Sequence, residues 1–162
     1  MSRFSVDITN VSDERALIPA GDYPIRITKG TVKQDSKEKD GKVNNYVMIN
    51  FVAGIRDEEV ATLLGQDEPK CFPTVFISCD ENWAIGPNNQ QLGKFLKAAG
   101  FNSNEPFEVD TEDCEDQKAF TKKFFENMAE AAVGLDFTAK IGTRTYNDET
   151  QNEVKALAPA LD

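Results

Sequence analysis

Apolar and polar positions alternate with a period of two along much of the chain, and that period predicts strands. Tyr23, Ile25 and Ile27 alternate with Pro24, Arg26 and Thr28. Val47, Ile49 and Phe51 alternate with Tyr46, Met48 and Asn50. The two runs read as one hairpin, entered through the turn residues Pro19, Ala20 and Gly21. Between them, residues 33–45 hold almost no apolar side chain, so a mobile loop is expected there, carrying Lys33, Lys37, Lys39 and Lys42. Lysines on such a loop suit a groove binder. Asp35, Glu38 and Asp40 sit among them, so a solvated, charge-balanced loop is the other reading.

Residues 71–79 form a third strand, with Cys71, Val75, Ile77 and Cys79 on one face and Phe72, Thr74, Phe76 and Ser78 on the other. Phe4, Val6 and Ile8 suggest a short first strand or extended arm, followed by a polar loop over residues 10–15. Near the end, Phe137, Ala139 and Ile141 alternate with Thr138, Lys140 and Gly142. This opens a last hairpin with its turn at residues 147–151, a return over 152–157 and a stop at Pro159.

The helical period occurs twice at length. Leu92, Phe95, Leu96 and Ala99 place a helix over residues 90–99, with Gly100 as its cap. Phe120, Phe124, Met128 and Ala131 form the expected buried stripe of a longer helix over residues 116–132, closed by Gly134. Residues 57–65 (DEEVATLLG) read either as one or two helical turns, with acids at the positive end of the dipole, or as an irregular loop. Trp83 falls in a turn-rich stretch with Gly86, Pro87, Asn88 and Asn89. No internal repeat or low-complexity linker interrupts the 162 residues, which suit one mainly β, α+β domain with two helices.

Composition narrows the chemistry. The chain has no histidine, which removes most zinc sites, every Ser-His or Cys-His nucleophile pair and the commonest general base. Phosphate-loop, dinucleotide and nucleophile-elbow motifs are all missing, so neither an enzyme nor a cofactor is expected. No apolar run approaches the roughly 18 residues of a membrane span, and the first ten residues lack a signal core. Three cysteines, Cys71, Cys79 and Cys114, cannot all pair, and a reducing cytoplasm is the expected location. The net charge of −10 is uneven. Residues 105–130 hold 3 basic and 9 acidic side chains, a balance of −6, while the first 104 hold 12 and 14, a balance of −2. Within the acidic segment 105–116, Asp110, Glu112, Asp113, Glu115 and Asp116 read as a solvated helix start or, in principle, a Mg²⁺ site.

Parity assigns Tyr23, Ile25, Ile27, Val47, Ile49, Phe51, Val75 and Ile77 to the core. It leaves Arg26, Thr28, Tyr46, Met48, Asn50, Phe72, Thr74, Phe76 and Ser78 on the opposite face, joined by Lys140, Arg144 and Lys155 if the last hairpin continues the sheet. Rings beside cations and hydroxyls compose a stacking platform for unpaired bases, each stack contributing roughly 1–3 kcal/mol. The other reading of Phe72 and Phe76 is that they pack under the long helix, in a sheet covered on both sides. The candidate nucleic-acid contacts are therefore Arg26, Lys29, Lys33, Lys37, Lys39, Lys42, Tyr46, Phe72, Phe76, Lys140, Arg144, Tyr146 and Lys155.

The segments PAGDYPIRITKGTVKQDSK and NNYVMINFVAG, the middle piece LGKFLKAAGF and the closing FTAKIGTRTYNDETQNEVKALAP resemble small phage proteins with an oligonucleotide/oligosaccharide-binding (OB-like) barrel. These are encoded in replication and recombination clusters, and several bind single-stranded DNA. The resemblance implies a twisted antiparallel barrel in which loops 33–45 and 146–152 flank a nucleic-acid groove. It implies an accessory protein of phage replication or recombination, with single-stranded DNA, replication or recombination proteins and a second copy of the chain as partners. The chain ends ALAPALD, without the acidic tail such binders often carry; its acids are internal. Two rival classes are a protein-interaction module, such as a virion component or host-protein inhibitor using the acidic segment, and an accessory of a metal-dependent nuclease.

Overall fold

A computed structural model describes residues 17–103 and 107–161. The strand suggested by Phe4, Val6 and Ile8, the loop at 10–15 and the start of the acidic segment at Glu105 lie outside the described residues. Among the described residues, six antiparallel strands and three α-helices make a mainly β, α+β fold. The order along the chain is β1 (Gly21–Lys39), β2 (Lys42–Ile55), α1 (Glu58–Leu64), β3 (Lys70–Cys71), β4 (Thr74–Cys79), α2 (Gln90–Ala99), α3 (Gln117–Ala132), β5 (Asp136–Tyr146) and β6 (Glu149–Pro159).

β2 is flanked by β1 on one side and by β3 and β4, in succession, on the other; β1 in turn pairs with β5, and β5 with β6. Pro73 splits the third strand into β3 and β4, since it has no N–H for a ladder, although its carbonyl still accepts from the Phe51 N–H at 2.8 Å. Among the described residues no pairing joins β3 or β4 to β6, so the sheet is open where a barrel was expected to close.

The core follows the expected parity. Ile25, Ile27, Val47, Ile49, Phe51, Val75 and Ile77 are buried, with Phe137, Ala139 and Ile141 from β5. Phe95 of α2 stacks between Phe51 and Phe137, at 5.2 and 5.6 Å between ring centres. α2 thus packs against β4, β5 and β6 and spans the open side of the sheet from below.

Four expectations are corrected. The first hairpin has no mobile loop. Its strands stay paired from Ile25↔Ile55 out to Lys39↔Lys42, and only Asp40 and Gly41 form the turn. Both have positive φ, 54° and 76°, the pattern of the two-residue turns that match strand twist. Backbone pairing holds this stretch almost without apolar side chains, helped by polar anchors. Gln34 donates to the Lys118 carbonyl of α3, and buried Asn45 accepts from Ser36 and donates to the Asp80 and Glu81 carbonyls. The last hairpin is likewise tighter than expected: Asn147 and Asp148 alone turn, at φ 50° and 62°. A third helix exists, because the Asp57 side chain caps the Val60 N–H and Gly65 closes the last turn at φ 64°. The buried stripe of α3 is rotated by one position, to Thr121, Phe125, Met128, Ala129 and Ala132. Ala129 comes against Gly30, where an added Cβ would lie 3.0 Å away, and Phe120 and Phe124 turn sideways, Phe124 meeting Phe107 at 5.2 Å.

A β-bulge at Thr28 decides what β1 presents. Ile27 opposes Ala53 and Lys29 opposes Val52, so Thr28 is extra. Ile27 is held there from the far side, donating to Leu135 at 3.0 Å and accepting from Gly134 at 2.8 Å. Before the bulge the odd residues Ile25 and Ile27 are buried; after it the half-buried positions are Gly30, Val32 and Gln34.

Candidate nucleic-acid interface

The parity change at Thr28 sends Lys29, Thr31, Lys33, Asp35, Lys37 and Lys39 to the outward face. Lys42, Asn44, Tyr46, Met48 and Asn50 stand opposite them on β2, and the row continues through Thr74, Phe76 and Ser78 on β4. Five lysines, Lys29, Lys33, Lys37, Lys39 and Lys42, share that face with one carboxylate, Asp35, a balance of +4. Asp35 lies 3.7 Å from Lys33 in an exposed pair.

Aromatic rings stand on the same face. Phe72 is 65% exposed, Phe76 37%, and Tyr46 stacks on Phe76 at 5.1 Å between centres. The long helix does not cover Phe72 and Phe76, since α3 lies against the other side of the sheet. Thr31 donates to the Asn50 carbonyl and Thr74 to the Asn50 side chain, tying the three strands between the rings and the lysines.

Beyond Phe72 the surface drops into a cleft of about 1670 Å³ between β3–β4 and β6. Val75, Phe95, Ile141, Val154 and Leu157 supply its apolar lining. Lys70, Lys94, Arg144 and Lys155 are its cations and Glu68 and Glu153 its carboxylates, a balance of +2. Tyr146, 63% exposed, also lines it, with the Arg144 guanidinium 6.0 Å from its ring centre. A smaller hollow of about 320 Å³, lined by Lys29, Thr31, Asn50, Phe72 and Thr74 among others, shares Phe72 and Thr74 with the cleft. Lysine face, rings and cleft are therefore continuous.

The cleft stays open because the rim of β4 is satisfied by side chains rather than by a strand. Gln91 accepts from the Phe76 N–H at 3.0 Å, and Asn89 accepts from the Ser78 N–H at 2.7 Å and donates to its carbonyl. On the other rim, Asn152 of β6 clasps Ile18, accepting from its N–H at 2.8 Å and donating to its carbonyl at 2.9 Å. Cys71 lines the cleft wall, and burial pushes its thiol up to about 12; burial also raises the Cys79 thiol, with Asp80 adding to the shift.

Eleven of the thirteen expected contacts meet on this surface: Lys29, Lys33, Lys37, Lys39, Lys42, Tyr46, Phe72 and Phe76 on the outer face, and Arg144, Tyr146 and Lys155 around the cleft. Two do not. Arg26 faces outward at the far end of β1, where its Nε lies 2.8 Å from Asp136. That hydrogen bond raises the guanidinium pKa and holds the Asp136 carboxyl below the ordinary carboxylate range. Lys140 stands between Asp22 and Ala156, away from the cleft lining. Lys70, Lys94 and Gln91 were not foreseen. Gln91 and Lys94 sit on the polar side of α2, and no pattern in the sequence says that this side faces a cleft.

The described acids of the segment, from Glu108 to Asp116, are elsewhere. Asp110 and Asp116 accept from the Glu112 and Ala119 N–H groups as caps, and Glu112, Asp113 and Glu115 are exposed. Among the described residues no three Asp, Glu or Cys side chains are grouped so as to hold a metal ion, and no helix is long and apolar enough to cross a membrane. Compared with known family models and with characterised proteins, the chain matches none.

Proposed function

We propose that this protein binds single-stranded DNA across the lysine face and the β4–β6 cleft, without sequence preference and without chemistry. One observation carries the reading: a chain of net charge −10 gathers nine cations against three carboxylates on the surface that also exposes Phe72, Phe76 and Tyr146. A structural surface needs neither exposed phenylalanines nor a local excess of positive charge. Stacking supplies contacts to any base, and lysines track the phosphates. The rings need unpaired bases, so single strands are favoured over duplex.

The fold reading that goes with this is an OB-like barrel whose last seam is unpaired, with the cleft occupying the seam. The resemblance of the strand segments to phage replication and recombination proteins supports an accessory role in those processes, in the cytoplasm of the host cell. A fluorescence titration with oligo-dT and a matched duplex at about 50 mM salt tests the binding, a condition that favours phosphate contacts. Tight binding to oligo-dT with weaker binding to duplex is expected, and no binding to oligo-dT sinks the reading. The rival, a protein-interaction module, is favoured by the exposed Glu112, Asp113 and Glu115. It predicts that neutralising those three abolishes partner capture while oligo-dT has no effect.

A further inference from the structure

The first hairpin is longer than the body that supports it. β4 ends opposite Asn45, where Cys79 pairs with it, and β5 reaches only as far as Arg26 at that end of its ladder with β1. Residues 37–44 therefore project past the sheet as a free two-stranded ribbon. Its strands are paired to the last position, Lys39↔Lys42, and the turn has two residues, so the ribbon is stiff rather than a loop. Lys37, Lys39 and Lys42 share one face of it, and Glu38 and Val43, paired with each other, share the opposite face. No ring that could stack a base lies among these residues; the nearest, Tyr46, is back on the sheet.

A two-stranded ribbon is of a size that the major groove of a duplex admits, about 12 Å wide. Cations without stacking partners suit phosphates of either nucleic-acid form, whereas the cleft and its rings need unpaired bases. Two surfaces with these different demands are carried by one sheet: β1 and β2 form the ribbon, and β4, which walls the cleft, pairs with β2 from Asn45 to Asn50. We infer that the preferred ligand is a junction between single strand and duplex, with the single strand in the cleft and the duplex flank on Lys37, Lys39 and Lys42. This rests on the single-strand reading above and narrows its ligand class.

The test compares three DNAs of equal nucleotide number: oligo-dT, blunt duplex, and a duplex with a single-stranded dT tail. The junction is expected to bind more tightly than oligo-dT. Its log affinity should fall more steeply with log salt, by a slope of about 2.7 for three added phosphate contacts at about 0.9 each. The variant Lys37→Ala/Lys39→Ala/Lys42→Ala should lose the junction advantage and the extra slope, while Phe72→Ala lowers affinity for junction and oligo-dT alike. Equal binding of junction and oligo-dT by the unaltered protein overturns the inference and leaves single-strand binding standing. A junction preference that survives in the triple variant also overturns it, by removing the ribbon from the contact. No binding to oligo-dT removes the single-strand reading itself.

Discussion

Phe72 is the ring with most to offer a ligand. It is 65% exposed and bridges the two hollows, whereas Phe76 already spends one face on Tyr46. Phe72→Ala is expected to weaken oligo-dT binding by about 1–3 kcal/mol, the worth of one stacked base, with no loss of thermal stability. Phe76→Ala should cost less in binding and more in stability, because it also removes the Tyr46 contact. Titration and melting of the two variants separate these effects. Cys71 gives a second expectation. With its thiol pushed up to about 12 by burial, almost none is thiolate at pH 8, so iodoacetamide should leave Cys71 unmodified in the folded protein and label it on unfolding, as peptide mass mapping would show. Arg26 and Asp136 give a third. The Asp136 pKa is lowered on folding, so the pair stabilises above the ordinary carboxylate pKa and that stability is lost as pH falls through the folded value. The effect is small, since the side chains are 43% and 46% exposed. Arg26→Gln should therefore lower the melting temperature slightly at pH 7, and the difference should shrink as the pH falls below the ordinary carboxylate range.

At the scale of elements, the bulge at Thr28 governs the candidate interface. Without it, Lys29, Lys33, Lys37 and Lys39 would share the parity of Ile25 and Ile27 and point to the core side. Deleting Thr28 forces a choice between burying lysines and exposing isoleucines. The expected outcome is a large loss of stability in urea unfolding, well beyond that of Thr28→Ala, which removes only the hydroxyl's bond to the Val52 carbonyl. Gly41→Val, at φ 76°, should cost about 1–2 kcal/mol in the same assay, because a branched residue is strained there. The strand cores were legible in the sequence, because a period of two with β-branched and aromatic residues has few other readings. The hairpin arm was not, because polar residues from Lys33 to Asn45 hide a strand when backbone pairing and polar anchors, rather than apolar packing, sustain it. The dipeptide Asp40–Gly41 was the available signal, since it favours a two-residue turn. A bulge leaves no mark in the pattern, and so the lysine row was assigned to a loop rather than to a face. Likewise the cleft depends on how far β6 stands from β4, which alternation within either strand does not encode.

For the molecule as a whole, charge is segregated. The outer face and cleft together carry +6, nine cations against three carboxylates, so the remainder of a −10 chain carries −16. Gln34 points to the side opposite Lys33 and donates to the α3 carbonyl of Lys118, which places the acidic start of that helix behind the lysine row. A polyanion is thus drawn to one side and repelled from the other. Converting Glu112, Asp113 and Glu115 to Gln, Asn and Gln should raise oligo-dT affinity slightly at low salt, with the difference vanishing at high salt and the melting temperature unchanged. The ladder between β1 and β5 has a consequence of another kind. Ile25 finds Phe137, and Ile18 finds Asn152, across more than a hundred intervening residues. A chain emerging from the ribosome can pair β2 with β1 and β4 early, yet one flank of β1 waits until nearly everything else has been made. Contacts this distant in sequence close slowly, so the last hairpin sets the pace of folding, and until it arrives the bare flank of β1 is where two nascent chains would stick together.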